Sequence, residues 1–385
     1  MLAQRLDGIP PTIFTTMSAL AVRTGSVNLG QGFPDDDGPA GMLEAAQRAI
    51  AAGHNQYAPG TGVPPLREAI ARHQQRHYGL DVDPDTQVTV TTGCTEAVAA
   101  ALLGLVDPGD EVVVLEPYYD SYVAMIQMAG GVRRPVTLRS PDFRLDLDDL
   151  RAAVTPRTRF VLLNSPHNPT GTVLTRAELK AVADLAIEHD LVVITDEVYE
   201  HLVFDDAEHV PIATLPGMWE RTLTLSSAGK SYSVTGWKIG WATGPAHLVD
   251  AVTAAKQWLS FSSGTPAQHA VAHALDHEAD FPRRLAQTLQ GHRDLLCEGL
   301  VEAGLTPRVP EGTYFALTDV GDLGWADGME FCTSLPERAG VVAIPCQVFH
   351  DDQDAGRHLV RWAFCKEQSV IEDGLVRLQK ADLRR

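Results

Sequence analysis

The chain has 385 residues, too many for one core at the usual ~150 residues per domain, so a lone small module is excluded and two domains are expected. Its 44% hydrophobic and 21% charged residues, with 32 Gly and 24 Pro, are ordinary globular usage and exclude fibrous or largely disordered structure. Thirty-one Lys and Arg against 50 Asp and Glu leave a formal charge of −19, which repels phosphate backbones and anionic membranes; neither nucleic acid nor a membrane is an expected partner.

The N-terminus, with Asp7, Pro10 and Pro11, lacks the basic-then-apolar pattern of a signal segment, and the longest apolar stretch, 97–106, is about half of a membrane span. Residues 27–38, VNLGQGFPDDDG, carry the Gly, Asp and Pro of a loop or extended arm. From the residues alone that arm is either a cover for a site or a plain connection. Short β-branched runs follow at 88–91, 112–115, 160–163, 191–195 and 222–225, separated by stretches of helical period such as 177–189. Strands alternating with helices predict an α/β layer with a mainly parallel sheet, its strands apolar because both faces are covered. The alternation fades before residue 40 and after about 280, where a long helix at 281–303 leads into mixed elements around 312–315. The expected division is an N-terminal arm with part of a small domain (1–40), a large domain (41–280) and a small C-terminal α+β domain (281–385). Cys94, Cys297, Cys332, Cys346 and Cys365 are scattered and form no CxxC pair, so a reducing, cytoplasmic setting is expected, with no disulfide frame and no metal site.

Two nucleotide-binding readings fail. Ala228-Gly229-Lys230-Ser231 resembles the end of a phosphate loop, but the glycine required five residues before Gly229 is Thr224. No GxGxxG follows any of the runs.

Ligands of parallel sheets gather beyond the carboxyl ends of the strands. After the first run come Gly93, Cys94 and Thr95 at a helix start, a place for an anion. After the third comes a proline-fixed loop carrying Asn168; after the fourth, Asp196 and Tyr199; after the fifth, Ser226, Ser227 and Lys230. A lysine, a carboxylate, a phenol, an amide and a phosphate turn at successive strand ends point to pyridoxal phosphate. The lysine binds its aldehyde, the carboxylate keeps its ring nitrogen protonated, and the donors meet its ring oxygen.

Seven segments in order resemble the class I/II aminotransferases of fold type I, aspartate aminotransferase-like. They are VNLGQGFPDDDGP (27–39), NQYAPGTGVPPLREAI (55–70), EPYYDSY (116–122), NSPHNPTG (164–171), TDEVYEHLVFDD (195–206), SSAGKSYSVTGWKIGW (226–241) and HLVRWAFCK (358–366). The likeness is to the kynurenine and glutamine aminotransferase branch and to actinobacterial N-succinyldiaminopimelate aminotransferases. It implies that Lys230 holds the cofactor and shuttles the substrate proton, that Asp196 pairs with the ring nitrogen, and that Tyr199 and Asn168 bond the ring oxygen. It implies a phosphate held by Gly93, Cys94, Thr95, Ser227, Lys238 and a Tyr57 reaching over from a second subunit of a homodimer. Tyr119 would stack on the ring, with Tyr118 in the core. Arg361 would clamp the substrate α-carboxylate, assisted by Asn168 and the Gly32 backbone. Phe14 would form an aromatic wall, and Phe261 with Ser262 would enter from the neighbouring subunit, where 258–266 is about two residues longer than in the kynurenine branch. Lysine at 238 stands where many relatives carry arginine, which keeps charge but loses the bidentate fork.

The activity so implied is ping-pong transfer of the amino group of an L-amino acid to a 2-oxo acid. The N-succinyldiaminopimelate reaction is preferred to a broad kynurenine, glutamine or methionine specificity or to a carbon–sulfur β-lyase. A cofactor-sensing regulator would need a DNA-binding head, for which the acidic chain and the early arm leave no place.

Overall fold

The computed structural model describes residues 3–385; the first two residues of the expected arm lie outside them. Seven strands build the main sheet: β1 Val88–Thr92, β2 Glu111–Glu116, β3 Val132–Thr137, β4 Thr158–Asn164, β5 Val192–Asp196, β6 Thr222–Ser227 and β7 Ile239–Thr243. Their spatial order is β1-β7-β6-β5-β4-β2-β3. Only β7 runs against its neighbours, β1 and β6; the other pairs are parallel. The expected α/β fold with a mainly parallel, helix-flanked sheet is therefore present, and all five anticipated strands are in it.

The two unanticipated strands have local reasons. β3 is an edge strand whose Arg133, Arg134 and Pro135 break any apolar run, as edges do to discourage further pairing. β7 carries Gly240 within a motif read for its lysines. The helix Arg176–Glu188 starts at a capping box in which Thr175 and Glu178 satisfy each other's backbone N–H groups.

A second, antiparallel sheet joins Ile344–Pro345, Leu359–Ala363, Phe315–Asp319 and Pro307–Arg308. Val27–Asn28 pairs in parallel with Val341–Val342, so the chain's start packs with its end. The segment beyond Asn28 is irregular, as expected, and Lys366 Nζ ties it down through Phe33 O and Asp35 Oδ1, both at 2.9 Å. Helices Ala40–Ala51, Pro64–Tyr78 and Thr265–His277 enclose a separate apolar cluster against β1 and β7. No helix among the described residues is long and apolar enough to cross a membrane.

One contact brings the strand ends into a single crevice. A Cβ on Gly240 would stand 2.5 Å from Gly93 C and 2.7 Å from Cys94 N, so only glycine lets β7 lie against the turn after β1. Gly240→Ala should lower stability by roughly 1–3 kcal/mol, the cost of overpacking a close contact. Chemical denaturation of the two proteins checks this.

Candidate active site

The carboxyl ends of β1, β4, β5 and β6 open on a cavity of about 290 Å³, lined on its other side by Phe14, Gln31, Gly32, Phe33, Phe315 and Arg361. Lys230 stands in the short helix Ala228–Ser231 that follows β6. Its Nζ donates to Tyr314 Oη at 2.8 Å and to Gly32 O at 3.4 Å, and Tyr314 Oη in turn donates to Gly32 O at 2.7 Å. Burial, reinforced by the positive charges of Arg361 and Lys238, brings the Lys230 amine down to about 8 against the pull of Cys365 and Asp196. A lysine of that kind has an appreciable neutral fraction near neutral pH and can act as a nucleophile.

Asp196 closes β5 and is buried. Its Oδ2 accepts from Tyr122 Oη at 2.7 Å and its Oδ1 from Val198 N at 3.2 Å. Burial pushes the carboxyl up, while Tyr122, Val198, Cys94 and Lys230 hold it back toward the charged form. Asn164, the last residue of β4, fixes two neighbours at once: its Nδ2 donates to Asp196 O at 2.9 Å and its Oδ1 accepts from Asn168 N at 2.8 Å. Tyr199, in the turn after β5, is buried edge-on against Tyr314, with ring centroids 5.3 Å apart.

The turn after β1 forms an anion cradle. Gly93, at φ 73°, opens the helix Gly93–Leu105, whose first N–H groups lack intrahelical partners. A Cβ on Gly93 would lie 3.2 Å from Lys238 Nζ, so the ammonium sits directly over the helix start. Ser227, Thr95 and Gly229 line the same cavity. The Cys94 side chain is buried and faces Asp196; burial, and then the Asp196 carboxylate, raise its thiol.

Arg361 lies in Leu359–Ala363, nearly sealed at 2% exposure. Its Nη atoms donate to Asn168 Oδ1 at 2.9 Å and Gly30 O at 3.0 Å, while its Nε is buried without a partner. The guanidinium lies 3.8 Å from the Phe315 ring centroid and 4.8 Å from that of Phe14, and no carboxylate pairs with it among the described residues. Burial lowers its pKa. A desolvated cation without an anion is costly unless an anionic ligand completes it.

Of the residues singled out in the sequence, Phe14, Gly32, Gly93, Cys94, Thr95, Tyr119, Asn168, Asp196, Tyr199, Ser227, Lys230, Lys238 and Arg361 meet at this cavity. Tyr57 does not: it is 84% exposed, edge-on to Phe261 at 5.6 Å, and neither lines the cavity, nor does Ser262. Tyr118 is buried with its hydroxyl on Asp351 Oδ1 at 2.8 Å, apart from the cavity, as expected of a core residue. Sequence reasoning missed Tyr122, Asn164 and Tyr314. Asn164 could have been found as the residue ending a strand; Tyr122 is one face of a helix and Tyr314 arrives from the second sheet, so neither carries a local signal.

The donor set fits pyridoxal phosphate. A lysine and a carboxylate share one cavity, and a turn whose glycine has a positive φ offers N–H groups and an ammonium to a phosphate. The comparisons agree. The sequence model "Aminotransferase class I and II" matches residues 24–370, and the chain belongs to that family. The solved N-succinyldiaminopimelate aminotransferase of Mycobacterium tuberculosis superposes with a TM-score of 0.96 at 54% identity, covering 98% of this chain and 99% of that one. Methionine aminotransferase of Escherichia coli is 42% identical over 376 residues, 98% of this chain and 97% of that protein. Aspartate aminotransferase of Thermus thermophilus gives a TM-score of 0.91 at 36% identity, with 99% of each chain covered. This is a pyridoxal-phosphate-dependent aminotransferase.

Two outcomes follow from the local chemistry. Uptake of pyridoxal phosphate by the apoprotein should accelerate as pH rises through about 8, where Lys230 loses its proton, and stopped-flow absorbance reads this directly. Tyr122→Phe removes a hydrogen bond to a charged group, worth about 1.5–3 kcal/mol. The Asp196 carboxyl should then rise further, and the cofactor should bind roughly ten- to a hundredfold more weakly by equilibrium dialysis.

Proposed function

We propose that the chain is a cytoplasmic, homodimeric N-succinyldiaminopimelate:2-oxoglutarate aminotransferase. The observation that carries the reading is Arg361, a buried guanidinium with a free Nε and no anionic partner, opening on the same cavity as the low-pKa Lys230. An α-amino acid satisfies both, its carboxylate on Arg361 and its amino group toward Lys230. When bound, pyridoxal phosphate supplies the aldehyde that accepts the amino group and a conjugated ring that spreads the electron pair left at the substrate α-carbon.

The chain's own residues do the rest. Asp196, which accepts from Tyr122 Oη and Val198 N, would pair with the ring nitrogen and keep it protonated. Tyr199 and Asn168 would meet the ring oxygen, and Tyr119 would cover the ring. Gly93, Cys94, Thr95, Ser227 and Lys238 would hold the phosphate. Lys230 would take up the substrate α-proton, with Tyr314 Oη and Gly32 O positioned to orient its amine. Arg361, Asn168 and the Gly32 region fix the substrate carboxylate, and Phe14 walls the pocket.

The dimer is supported by an exposed apolar patch: Tyr57 at 84%, Trp258 at 83% and Phe261 at 47% exposure. A partner's Tyr57 and Phe261 region would complete the phosphate end and the pocket. The preferred donor rests on the 54% identity across 98% of the chain to a relative described by that activity. Phe14, Phe315 and Phe349 around Arg361 favour a second reading, a methionine or aromatic donor.

Adding N-succinyldiaminopimelate, glutamate, methionine, glutamine and kynurenine singly to the holoenzyme, and following the cofactor absorbance for one turnover, separates these. Fast conversion by N-succinyldiaminopimelate and glutamate is expected; fast conversion only by the others would retire the preferred donor. Pyruvate and ammonia from a cysteine conjugate would indicate β-lyase chemistry. Arg361→Leu should lower kcat/KM by roughly two to three orders of magnitude, the ~3–4 kcal/mol of a buried charge pair.

A further inference from the structure

The motif TDEVYEHLVFDD contains a histidine that the cofactor cavity leaves unused. His201 follows Tyr199 by two residues but does not line the cavity. It meets two histidines of another element. His73 and His77 stand four apart on the helix Pro64–Tyr78, one turn above the other on the same face. The three rings form a compact triangle, with centroids 4.6 Å apart for His73 and His77, 5.0 Å for His73 and His201, and 4.9 Å for His77 and His201. One ring nitrogen from each lies within 4.8 Å of the others, and His73 Nε2 faces His201 Nε2 at 2.7 Å.

We propose that His73, His77 and His201 form a binding site for a borderline divalent cation of the Zn²⁺ class, separate from the catalytic cavity. Three imidazoles are a donor set suited to Zn²⁺, Ni²⁺, Cu²⁺ or Co²⁺, and three protein ligands leave one position for water. Cysteine spacing gave no such indication, because the ligands are histidines that only the fold assembles.

Two further observations favour a cation here. A buried carboxylate, Glu200, stands next to His201 in the chain. Glu200 Oε1 accepts from Ser226 Oγ at 2.6 Å, and Oε2 accepts from Tyr78 Oη, which fixes the carboxylate as an outer support. The site also has an entrance: His77 is exposed, whereas His73 is only 2% exposed and has a buried Nδ1 without a partner.

An ion here would tie the helix Pro64–Tyr78 to the turn that carries Tyr199. The test titrates chelator-stripped, tag-free holoenzyme with Zn²⁺ by calorimetry, in parallel with His77→Ala. That exposed position is chosen because replacing buried His73 risks the fold. One Zn²⁺ per chain is expected, bound at least about tenfold more weakly by the variant, since losing even an outer partner of a metal site costs ~10–100-fold. Zn²⁺ should raise the melting temperature of the parent and not of His77→Ala, while transamination in chelator stays equal in both. Equal Zn²⁺ affinity in the two proteins would place the ion elsewhere, for example at the His273 and His277 pair, and overturn the proposal. Absence of saturable binding by the parent would overturn it as well.

Discussion

Three cations, Lys230, Lys238 and Arg361, are gathered into one cavity with a single carboxylate, Asp196, among its lining residues, inside a protein whose overall charge is −19. Much of the surrounding structure answers that constraint. Burial, with the like charges of Arg361 and Lys238 added to it, brings Lys230 down to about 8. Arg361 is held not by an acid but by Asn168 Oδ1, Gly30 O and the faces of Phe14 and Phe315. The cavity is therefore incomplete without anions, and a phosphate and an amino-acid carboxylate are the two that the family's chemistry brings.

The sheet makes that arrangement possible. Parallel β4, β5 and β6 run side by side, so Asn164 and Asp196 stand level with Leu225 although they are separated in sequence, and Ser227 lies two residues further along β6. Asn164 then links two of those ends by bonding both Asp196 O and Asn168 N. The second sheet supplies Arg361 and Phe315 from paired strands, and the irregular arm brings the Gly32 carbonyl to Lys230 and Tyr314. A Cβ on Gly32 would lie 2.5 Å from the Phe315 ring, which is why glycine stands where the arm crosses that strand.

Much of this was legible in the sequence because buried parallel strands announce themselves as short β-branched runs, and the residues just beyond them are the site. Lys230, Asp196, Tyr199 and Asn168, all of which line the cavity, were singled out in that way. What stayed hidden depends on distant packing. Tyr122 reaches Asp196 across 74 residues and Tyr314 reaches Lys230 across 84, and neither has a periodic signature. β3 was invisible because Arg133, Arg134 and Pro135 suit an edge, not a core strand. The histidine triangle is the same kind of case: an i,i+4 pair can be seen on a helix, but its third member cannot. Roles for Tyr57, Phe261 and Ser262 came from resemblance; Tyr57 and Phe261 are exposed and Ser262 is half-buried, all three away from the cavity.

The central claim is that Lys230, beyond β6, is the amine that holds the cofactor. Holoenzyme reduced with borohydride, digested and mapped by mass spectrometry tests it directly, because reduction fixes the pyridoxyl group to the nitrogen that carries it. The account predicts a single modified peptide, with the mass increment on Lys230. A pyridoxyl group on Lys238, Lys256 or any other lysine, with Lys230 unmodified, would contradict it.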